Sequence, residues 1–468
     1  MGALVFADPK QKRFDFDGPS RLLSPDDIYE NATEELLARV HEDRRIEWKV
    51  AGIHAEPLGP YFSMWANTVP DGGIIAIGVQ KDGVIIGCNS LSESRLSDLE
   101  RSGRTYCPDA RYQTKRVPAI NPKGERDFVL LIRVFYKPER VAETTAGEAY
   151  ARFGGSKHQL SREEIRELQI SKGQIDFEKE PSTLVYPRDF DTALVREFAT
   201  AYKKMRNLSA DHDDPEILVQ RKLGRFVDGQ FEPNNACTLM FAKDPTTEFP
   251  GCKIRFLRFD GDTEKVGAEY NLVKDIWIDG LPVPRLIQEA EKVISSQLRD
   301  FSRLGKDGKF YTAPEYPRDV WYEAIVNACM HRSYHLRTMT IFVKMFDSKL
   351  IVESPGGFPG FVSPENIYSL TCPRNPHLME AMYFLEFVKC ANEGTRRMKE
   401  LMERGGLPQP EFEQKQVQNV SVSVTLRNNV KLRTAWVDKD ASDLVGKSLW
   451  TGLTEHEKRA IINRSIKY

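Results

Sequence analysis

A segment at residues 315–335, EYPRDVWYEAIVNACMHRSYH, carries an acid, an amide and an imidazole at regular intervals. Glu323, Asn327 and His331 lie four residues apart, so on a helix they share one face. A carboxylate can act as a general base toward water, and an amide oxygen can ligate Mg²⁺. The spacing indicates a base and a metal ligand acting at the terminal phosphate of a nucleotide. The plainer interpretation is that polar residues are scattered by chance on a partly exposed helix, because short motifs recur often.

Two glycine-containing segments follow this helix. VESPGGFP at 352–359 places a Gly-Gly pair in a turn after a strand, and NEGTRRM at 392–398 places a glycine loop directly before a helix. Glycine permits close approach of the backbone, and a helix N-terminus offers free N–H groups to phosphate. The order of helix, strand-turn and loop-helix favours a nucleotide pocket over a chance pattern.

The full series of motifs, from EYP and EAIVNACMHRSY through LIVESPGGFP and PRNPHL to NEGTRRMKELMERGG, resembles the ATP-binding domain of RecG-like transcriptional regulators. These domains are Bergerat-type (GHKL) ATPases, and the resemblance covers about residues 310–427. It implies an α/β sandwich that takes ATP and Mg²⁺ as cofactors. It also implies Glu323 as the water-activating base and Asn327 as the Mg²⁺ ligand.

The resemblance implies further roles around these two residues. His331 and Arg332 would lie at the helix end, near phosphate or holding the lid. Ser354 stands where better-known members have an aspartate that binds the adenine amine, and Asn392 stands where a glycine is common. The other implied nucleotide contacts are Gly356 and Gly357 at the adenine pocket, and Glu393, Gly394 and Thr395 in the phosphate lid.

A second group of residues that could do chemistry lies in EDRRIEWKV, at 42–50. Glu42, Glu47 and Lys49 come close together there, at a predicted helix-to-strand junction. Two carboxylates with a lysine can bind a divalent cation and polarise a phosphate, as in metal-dependent nucleases. A charge cluster at such a junction is more often simply solvated, so this motif alone is a weak signal.

Two later segments strengthen it: MWANTVPDGGIIAIGVQKDGVIIGC at 64–88 and YARFGGSKHQLSREEI at 150–165. Together the three segments resemble the Schlafen AlbA-type domain, over about residues 35–170. The resemblance implies binding of DNA or RNA, and in some relatives an RNA-cleaving site of two glutamates and an aspartate. Glu42 and Glu47 match the glutamates, whereas Gln80 holds the aspartate position and Asp82 is the nearest acid. The basic residues expected to contact phosphate are Arg44, Arg45, Lys49, Arg111, Lys115 and Arg152.

The composition indicates a soluble protein that neither spans a membrane nor binds nucleic acid over its whole surface. Lys and Arg total 67 against 68 Asp and Glu, so any nucleic-acid groove must be local. The seven cysteines form no C-x-x-C pair, which disfavours zinc and a disulfide framework and favours a reducing cytoplasm. We expect no signal peptide and no membrane span, because no run of about 18 apolar residues occurs.

The predicted fold class is α+β. We also expect several domains, because a chain of 468 residues is too long for one compact core. We expect a Schlafen AlbA-like α/β domain, a winged-helix-like connector and a Bergerat-type α/β sandwich. Single helices are predicted over 26–41 and over about 284–304, and Ser161 and Glu164 form a capping box. The predicted bounds are 1–25 for an N-terminal arm, 26–175 for the AlbA-like domain, 176–305 for a linker and the connector, 306–430 for the ATP-binding domain and 431–468 for a C-terminal extension with an incomplete helical element.

These expectations combine into a nucleic-acid-binding protein controlled by ATP, acting as a prokaryotic regulator or as a component of defence against phage. Two alternatives stay open: a metal-dependent RNase or DNase that uses Glu42 and Glu47 and is gated by the ATPase, and a scaffold with a degenerate ATPase. Expected partners are nucleic acid, a second copy of the chain in a homodimer or higher oligomer, and a partner defence protein.

Overall fold

The computed structural model describes residues 23–68, 71–153, 156–209, 211–304, 310–359, 362–364, 366–370, 372–389, 393–415 and 420–428. It divides the chain into two compact units, Met1–Ile175 and Asp176–Tyr468. Most of the predicted N-terminal arm, the predicted C-terminal extension and Asn392 lie outside the described residues.

The first unit contains a four-stranded sheet, a separate two-stranded hairpin and five helices among its described residues. In chain order these elements are α1 (Pro25–Glu30), α2 (Glu34–Leu37), β1 (Ile46–Lys49), α3 (Gly59–Asn67), β2 (Gly73–Ile77), α4 (Glu93–Tyr106), β3 (Arg111–Ile120), β4 (Arg126–Phe135), β5 (Tyr150–Phe153), β6 (Ser156–Gln159) and α5 (Arg162–Ser171).

The four-stranded sheet is buried on both faces, so β2 is apolar at every position and β4 is apolar except at Arg126, Asp127 and Arg133. The strand order is β1-β2-β4-β3, with β1 parallel to β2 and the other pairs antiparallel. Successive side chains of β2 point to opposite faces. Ile75 and Ile77 pack with residues of α3 and α4, whereas Ile74 and Ala76 pack with residues of α1 and α2.

The sequence predictions for this unit are partly confirmed. The capping box is present, because Ser161 accepts a hydrogen bond from the Glu164 N–H and Glu164 accepts one from the Ser161 N–H. The single helix predicted over 26–41 is wrong: α1 ends at Glu30, and Thr33 caps a new helix by accepting from Leu36 N. Asn31 and Thr33, two polar residues of types that favour helix caps, lie at this break. Their hydrogen bonds to the backbone end one helix and start the next, although the apolar pattern predicts a continuous helix.

The second unit is built on a six-stranded mixed sheet, and a helix–helix–hairpin–helix segment precedes that sheet in the sequence. In chain order its elements are α6 (Thr192–Arg206), α7 (Asp214–Gln220), β7 (Gly224–Val227), β8 (Gln230–Pro233), α8 (Asn235–Phe241), β9 (Ile254–Phe259), β10 (Leu272–Ile278), α9 (Val283–Ser295), β11 (Asp300–Leu304), β12 (Phe310–Pro314), α10 (Arg318–Met330), β13 (Ile341–Met345), β14 (Lys349–Pro355), α11 (Pro376–Phe384), α12 (Gly394–Arg404), β15 (Glu411–Lys415) and β16 (Ser421–Arg427).

The large sheet has the order β10-β9-β13-β14-β16-β15, in which only the β9–β13 pair is parallel. The helix α10 packs on β14 and lies against both α9 and α12. Because α10 is covered on several sides, most of its residues are buried. This arrangement is the layered α/β architecture that the sequence predicts for the ATP-binding part.

Two further details correct the predicted elements of this unit. The helix expected over 284–304 is wrong in its second half, because α9 ends at Ser295 and β11 begins at Asp300. The sheet also crosses the predicted boundary at 305/306, because β9 pairs with β13 in parallel. The strands of 254–278 therefore share a sheet with the strands of the ATP-binding part.

Candidate functional site

A cavity of about 510 Å³ lies in the second unit, lined by residues of α10, β14, α11 and α12 and of the loops between them. Its volume is in the range of small-molecule and cofactor sites. Among the residues predicted as nucleotide contacts, those that line it are Glu323, Asn327, His331, Ser354, Gly356, Gly357, Glu393, Gly394 and Thr395. Arg332 is the one predicted contact that is not part of this lining.

Glu323 and Asn327 come from a helix that is otherwise mostly apolar. Asn327 Nδ2 donates to Glu323 Oε1 at 3.3 Å, so the spacing of four residues does bring the two side chains together. The Glu323 side chain is only 16% exposed. A polar group in such a position is costly unless it has a partner, and both of these groups have one.

The second oxygen of Glu323 is held by a residue of α12. Arg397 Nη2 donates to Glu323 Oε2 at 2.6 Å. Gly394, in the first turn of α12, lies so close that a Cβ built on it would be 2.1 Å from Glu323 Oε1. The carboxylate is therefore enclosed between Asn327 of α10 and the start of α12.

The amide of Asn327 is oriented by the same contact. Its Nδ2 atom donates to Glu323, so Oδ1 is left to accept or to ligate. Mg²⁺ is often bound by one or two protein oxygens together with substrate phosphates and water. One amide oxygen on the wall of the cavity fits that donor set.

The turn after β14 forms another wall of the cavity. The Ser354 hydroxyl is buried and donates to Ala328 O at 2.7 Å, so only its lone pairs remain for a ligand. Gly356 adopts φ +105°, and a Cβ built on it would be 2.0 Å from Ser333 Oγ. Arg374 Nη2 donates to Gly357 O at 2.7 Å. Glycine is therefore required at 356 on two grounds, its backbone angle and the space available.

The lid residues lie at the start of α12. Glu393 is the N-cap residue and is exposed, and Thr395 Oγ1 donates to Ile367 O at 2.8 Å. Two cations on the lining, Lys389 and Arg397, were not assigned from the sequence. Nothing local to the sequence pairs Arg397 with Glu323, because the two residues are 74 positions apart.

His331 and Arg332 at the end of α10 have different environments. His331 borders the cavity, and burial, with Arg374 nearby, lowers the pKa of its imidazole to about 4. Its Nδ1 atom is buried and makes no hydrogen bond within the described part of the chain. Arg332 is fully buried and donates to Leu336 O at 3.0 Å and Met339 O at 2.5 Å. The predicted position of Arg332 near phosphate is therefore wrong, because its guanidinium holds the following loop.

In the first unit, the predicted acidic residues make contacts that differ from each other. Glu42 Oε1 accepts from Trp48 N at 2.7 Å, whereas Glu47 forms an ion pair with Lys49 at 2.6 Å. Asp82 accepts from Val84 N and so belongs to its turn. Neither glutamate is in the one group of three close metal-ligating side chains found among the described residues, which is Asp176, Glu178 and His377.

That group of three residues has structural roles of its own. Glu178 accepts from His377 N at 2.8 Å and from Leu378 N at 2.6 Å, so it caps the start of α11. Asp176 forms an ion pair with Lys179 at 2.6 Å. These contacts account for both carboxylates without a metal ion.

Some of the predicted basic residues of the first unit contact other residues of the chain, and others are exposed. Arg45 pairs with Asp43 at 2.6 Å, and Arg152 Nη2 donates to Asp43 O at 3.0 Å. Lys115 donates to Tyr29 O at 3.1 Å and Glu30 O at 3.0 Å, and thereby satisfies carbonyls at the end of α1. The exposed side chains are Arg44 and Arg111.

Comparison with known proteins assigns both units. Residues 42–161 match the family model described as "Schlafen, AlbA_2". Residues 339–426 match the family model described as "Putative ATP-dependent DNA helicase recG C-terminal". The helix α10, which carries Glu323 and Asn327, precedes the matched residues of the second family.

Among solved structures, the chain is similar to the DIP2311 protein from Corynebacterium diphtheriae, with 21% identity over 90% of this chain and 87% of that chain and a TM-score of 0.43. No curated protein matches the chain. Within the described residues, no helix is long and apolar enough to cross a membrane. The chain thus carries a Schlafen AlbA_2 domain followed by a RecG-like, ATPase-like domain, which is the two-domain architecture that its sequence predicts.

Proposed function

We propose that the protein binds ATP with Mg²⁺ in the cavity of the second unit and binds nucleic acid through the first unit. The observation that carries the ATP site is the convergence of α10, the turn after β14 and the start of α12 on one cavity. These three segments were predicted as nucleotide contacts from separate motifs. Their convergence is unlikely for polar residues scattered by chance.

The chain's own groups fit the parts of ATP. The Ser354 hydroxyl donates to Ala328 O, so its lone pairs can accept a hydrogen bond from the adenine amine. Asn327 Oδ1 is free to hold Mg²⁺, which neutralises the phosphate charge when bound. The first N–H groups of α12 and the exposed Lys389 can meet the phosphate oxygens.

Hydrolysis is the finer part of the proposal, and it depends on Glu323. As a general base, Glu323 must accept a proton from water, so one of its oxygens must present a lone pair to that water. Both oxygens are now engaged, by Asn327 and Arg397. We therefore propose that Arg397 leaves Glu323 and binds a phosphate oxygen when ATP is bound. This one movement frees Glu323 to act as the base and brings a positive charge to the phosphates.

Titration of the full-length chain with ATP and Mg²⁺ tests the binding step. We expect heat of binding and a raised unfolding temperature. Ser354→Ala should weaken binding about tenfold, because the adenine amine loses its acceptor. Ser369→Ala is the matched control, because Ser369 is exposed, lies outside the lining and donates to Asn366 O. Absence of heat in the wild-type chain would favour the scaffold alternative.

For the first unit, we propose nucleic-acid binding in preference to cleavage. The exposed Arg44 and Arg111 offer phosphate contacts. Glu42 and Glu47 are each engaged elsewhere and have no third metal ligand close by in the described residues. The nuclease alternative is tested directly with RNA and DNA substrates and divalent metal: cleavage that disappears in Glu47→Ala would establish it.

The two proposed activities together suit a regulator or defence component whose affinity for nucleic acid depends on bound ATP. This setting is tested by measuring affinity for DNA and RNA with and without a non-hydrolysable ATP analogue. An ATP-dependent change in affinity for intact nucleic acid supports it.

A further inference from the structure

Two lysines of the first unit meet at a single tyrosine ring. The Nζ atom of Lys49, on β1, lies 4.4 Å from the ring centroid of Tyr61, on α3. The Nζ atom of Lys157, on β6, also lies 4.4 Å from this centroid, and 5.3 Å from the ring centroid of Tyr150, on β5. Four separate elements thus converge at two ammonium groups. Of these residues, only Lys49 was singled out from the sequence.

The two ammonium groups differ in how their charge is balanced. Lys49 is paired with Glu47 at 2.6 Å. Lys157 has no ion pair and no hydrogen-bond acceptor within the described part of the chain, and it contacts the two rings. Two carboxylates attract Lys157, Glu47 and Glu148, and Glu148 already accepts from Tyr150 Oη at 2.6 Å and from Gln159 Nε2 at 3.2 Å.

Aromatic rings hold an ammonium group by its charge and leave its N–H donors free. Lys157 is therefore positioned by Tyr61 and Tyr150 while its donors remain available to a ligand. Partial burial and the positive charge of Lys49 lower the pKa of Lys157, against the opposing attraction of Glu47 and Glu148. An anion bound by Lys157 would offset the repulsion from Lys49.

We infer that Lys157 and Lys49 form a phosphate-binding subsite that takes a backbone phosphodiester of a nucleic acid. The inference rests on the nucleic-acid binding proposed for the first unit, and it adds the location and the residues. Lysine binds phosphate as a point charge, without base recognition, so the subsite contributes affinity and position but no sequence specificity.

The test uses the full-length chain and fluorescently labelled single-stranded RNA, single-stranded DNA and duplex DNA, titrated at several salt concentrations. Lys157→Met removes the ammonium and keeps the length of the side chain. We expect affinity to fall about five- to tenfold and the slope of log K against log salt to become shallower by about 0.7 to 0.9, which corresponds to one lost phosphate contact. Lys157→Arg should retain most of both.

Lys123→Met is the matched control, because Lys123 is an exposed lysine in the turn between β3 and β4 of the same unit. It should change neither affinity nor slope. Lys49→Met is less suitable as the first variant, since it would also leave Glu47 without its partner. Thermal unfolding of each variant establishes that the unit remains folded. A Lys157→Met chain that binds with the wild-type affinity and slope would overturn the subsite.

If the wild-type chain binds no oligonucleotide, the proposed nucleic-acid binding fails, and the subsite is judged separately with inorganic pyrophosphate. The wild-type and Lys157→Met chains share the cavity of the second unit, so its contribution cancels in the comparison of the two. A rise in unfolding temperature that is lost in Lys157→Met would retain an anion subsite at these residues. An equal rise in both chains, or none in either, would overturn it.

Discussion

At the scale of residues, the proposed chemistry of the second unit depends on the hydrogen bonds that the two oxygens of Glu323 make. Its Oε1 atom accepts from Asn327, and its Oε2 atom is 2.6 Å from Arg397 Nη2. Such a carboxylate is well positioned but poorly available as a base. The proposed binding and the proposed hydrolysis of ATP are thus separable, and they can be measured apart.

Replacement of Glu323 by Gln tests the base directly. The amide keeps the shape of the side chain but cannot take a proton from water, so we expect the rate of ATP hydrolysis to fall by about 10²- to 10⁴-fold. Binding of ATP measured by calorimetry should remain within a few-fold. Glu400→Gln, on the exposed surface of α12, should change neither quantity. Undiminished turnover in Glu323→Gln would remove Glu323 from the mechanism.

His331 leads to a prediction about pH. The folded-state pKa of its imidazole is about 4, below the ordinary value of 6.5, because the ring is buried and Arg374 is near. The unfolded chain therefore binds the proton more readily between these two values, and stability must fall as pH falls from about 6.5 to about 4. The loss attributable to His331 is at most about 3 kcal/mol, since one pKa unit is about 1.4 kcal/mol and cavity water screens the charge.

Urea unfolding at several pH values measures this effect. His331→Phe should flatten the decline in unfolding free energy of the second unit over that window. His41→Gln, at an exposed position of the first unit, serves as the control and should leave the decline unchanged. A decline that is as steep in His331→Phe as in the wild-type chain would assign the pH dependence to other groups.

The separation of contacting residues along the chain also explains which site residues can be predicted from the sequence. Glu323 and Asn327 are four positions apart on one helix, and this local spacing is sufficient to predict their contact. Arg397 and Lys157 act through residues distant in sequence, so no local pattern marks them. Arg332 was misassigned for the opposite reason. It follows His331 directly in the sequence, but its guanidinium is buried against the loop that it holds and does not line the cavity.

At the scale of elements, the approach of α12 to α10 depends on one residue without a side chain. A Cβ at Gly394 would be 2.1 Å from Glu323 Oε1, which no side chain can tolerate without movement. We expect Gly394→Ala to push the Glu323 carboxylate away from Asn327 and Arg397, to lower ATP affinity at least tenfold and to destabilise the second unit by only about 1 kcal/mol, because the end of a side chain can move.

Calorimetry with ATP and urea unfolding measure both effects of Gly394→Ala. Gly52→Ala is the control, because nothing lies within 4 Å of a Cβ built there. It should be neutral for both quantities. If Gly394→Ala binds ATP as the wild-type chain does, close contact between α12 and Glu323 is not required for the nucleotide.

Elements were predicted best where the pattern was local and complete. The capping box of α5 and the strand before the Gly-Gly turn, β14, have that character. The ends of helices were predicted less well. The turn at 31–33 and the change from α9 to β11 interrupt patterns that continue as apolar periodicity in the sequence. The strands β9 and β13 are separated by 81 intervening residues, and no local sequence motif predicts their pairing.

At the scale of the whole molecule, the proposed control of nucleic-acid binding by ATP is a coupling free energy between two sites, and such a coupling must be reciprocal. The two sites lie in different compact units. If ATP changes the affinity for nucleic acid by some factor, nucleic acid must change the affinity for ATP by the same factor. Typical couplings of about 1–3 kcal/mol correspond to factors of about 5 to 150.

This reciprocity can be measured in both directions with the full-length chain and a non-hydrolysable ATP analogue, so that the system stays at equilibrium. We expect equal factors, different from one, from fluorescence titration of an oligonucleotide and from calorimetry of the analogue. Ser354→Ala should weaken the analogue without changing the oligonucleotide affinity measured in its absence, and Lys157→Met should do the reverse. Factors of one in both directions would mean that each domain binds its ligand independently, since linkage allows no coupling that acts one way only.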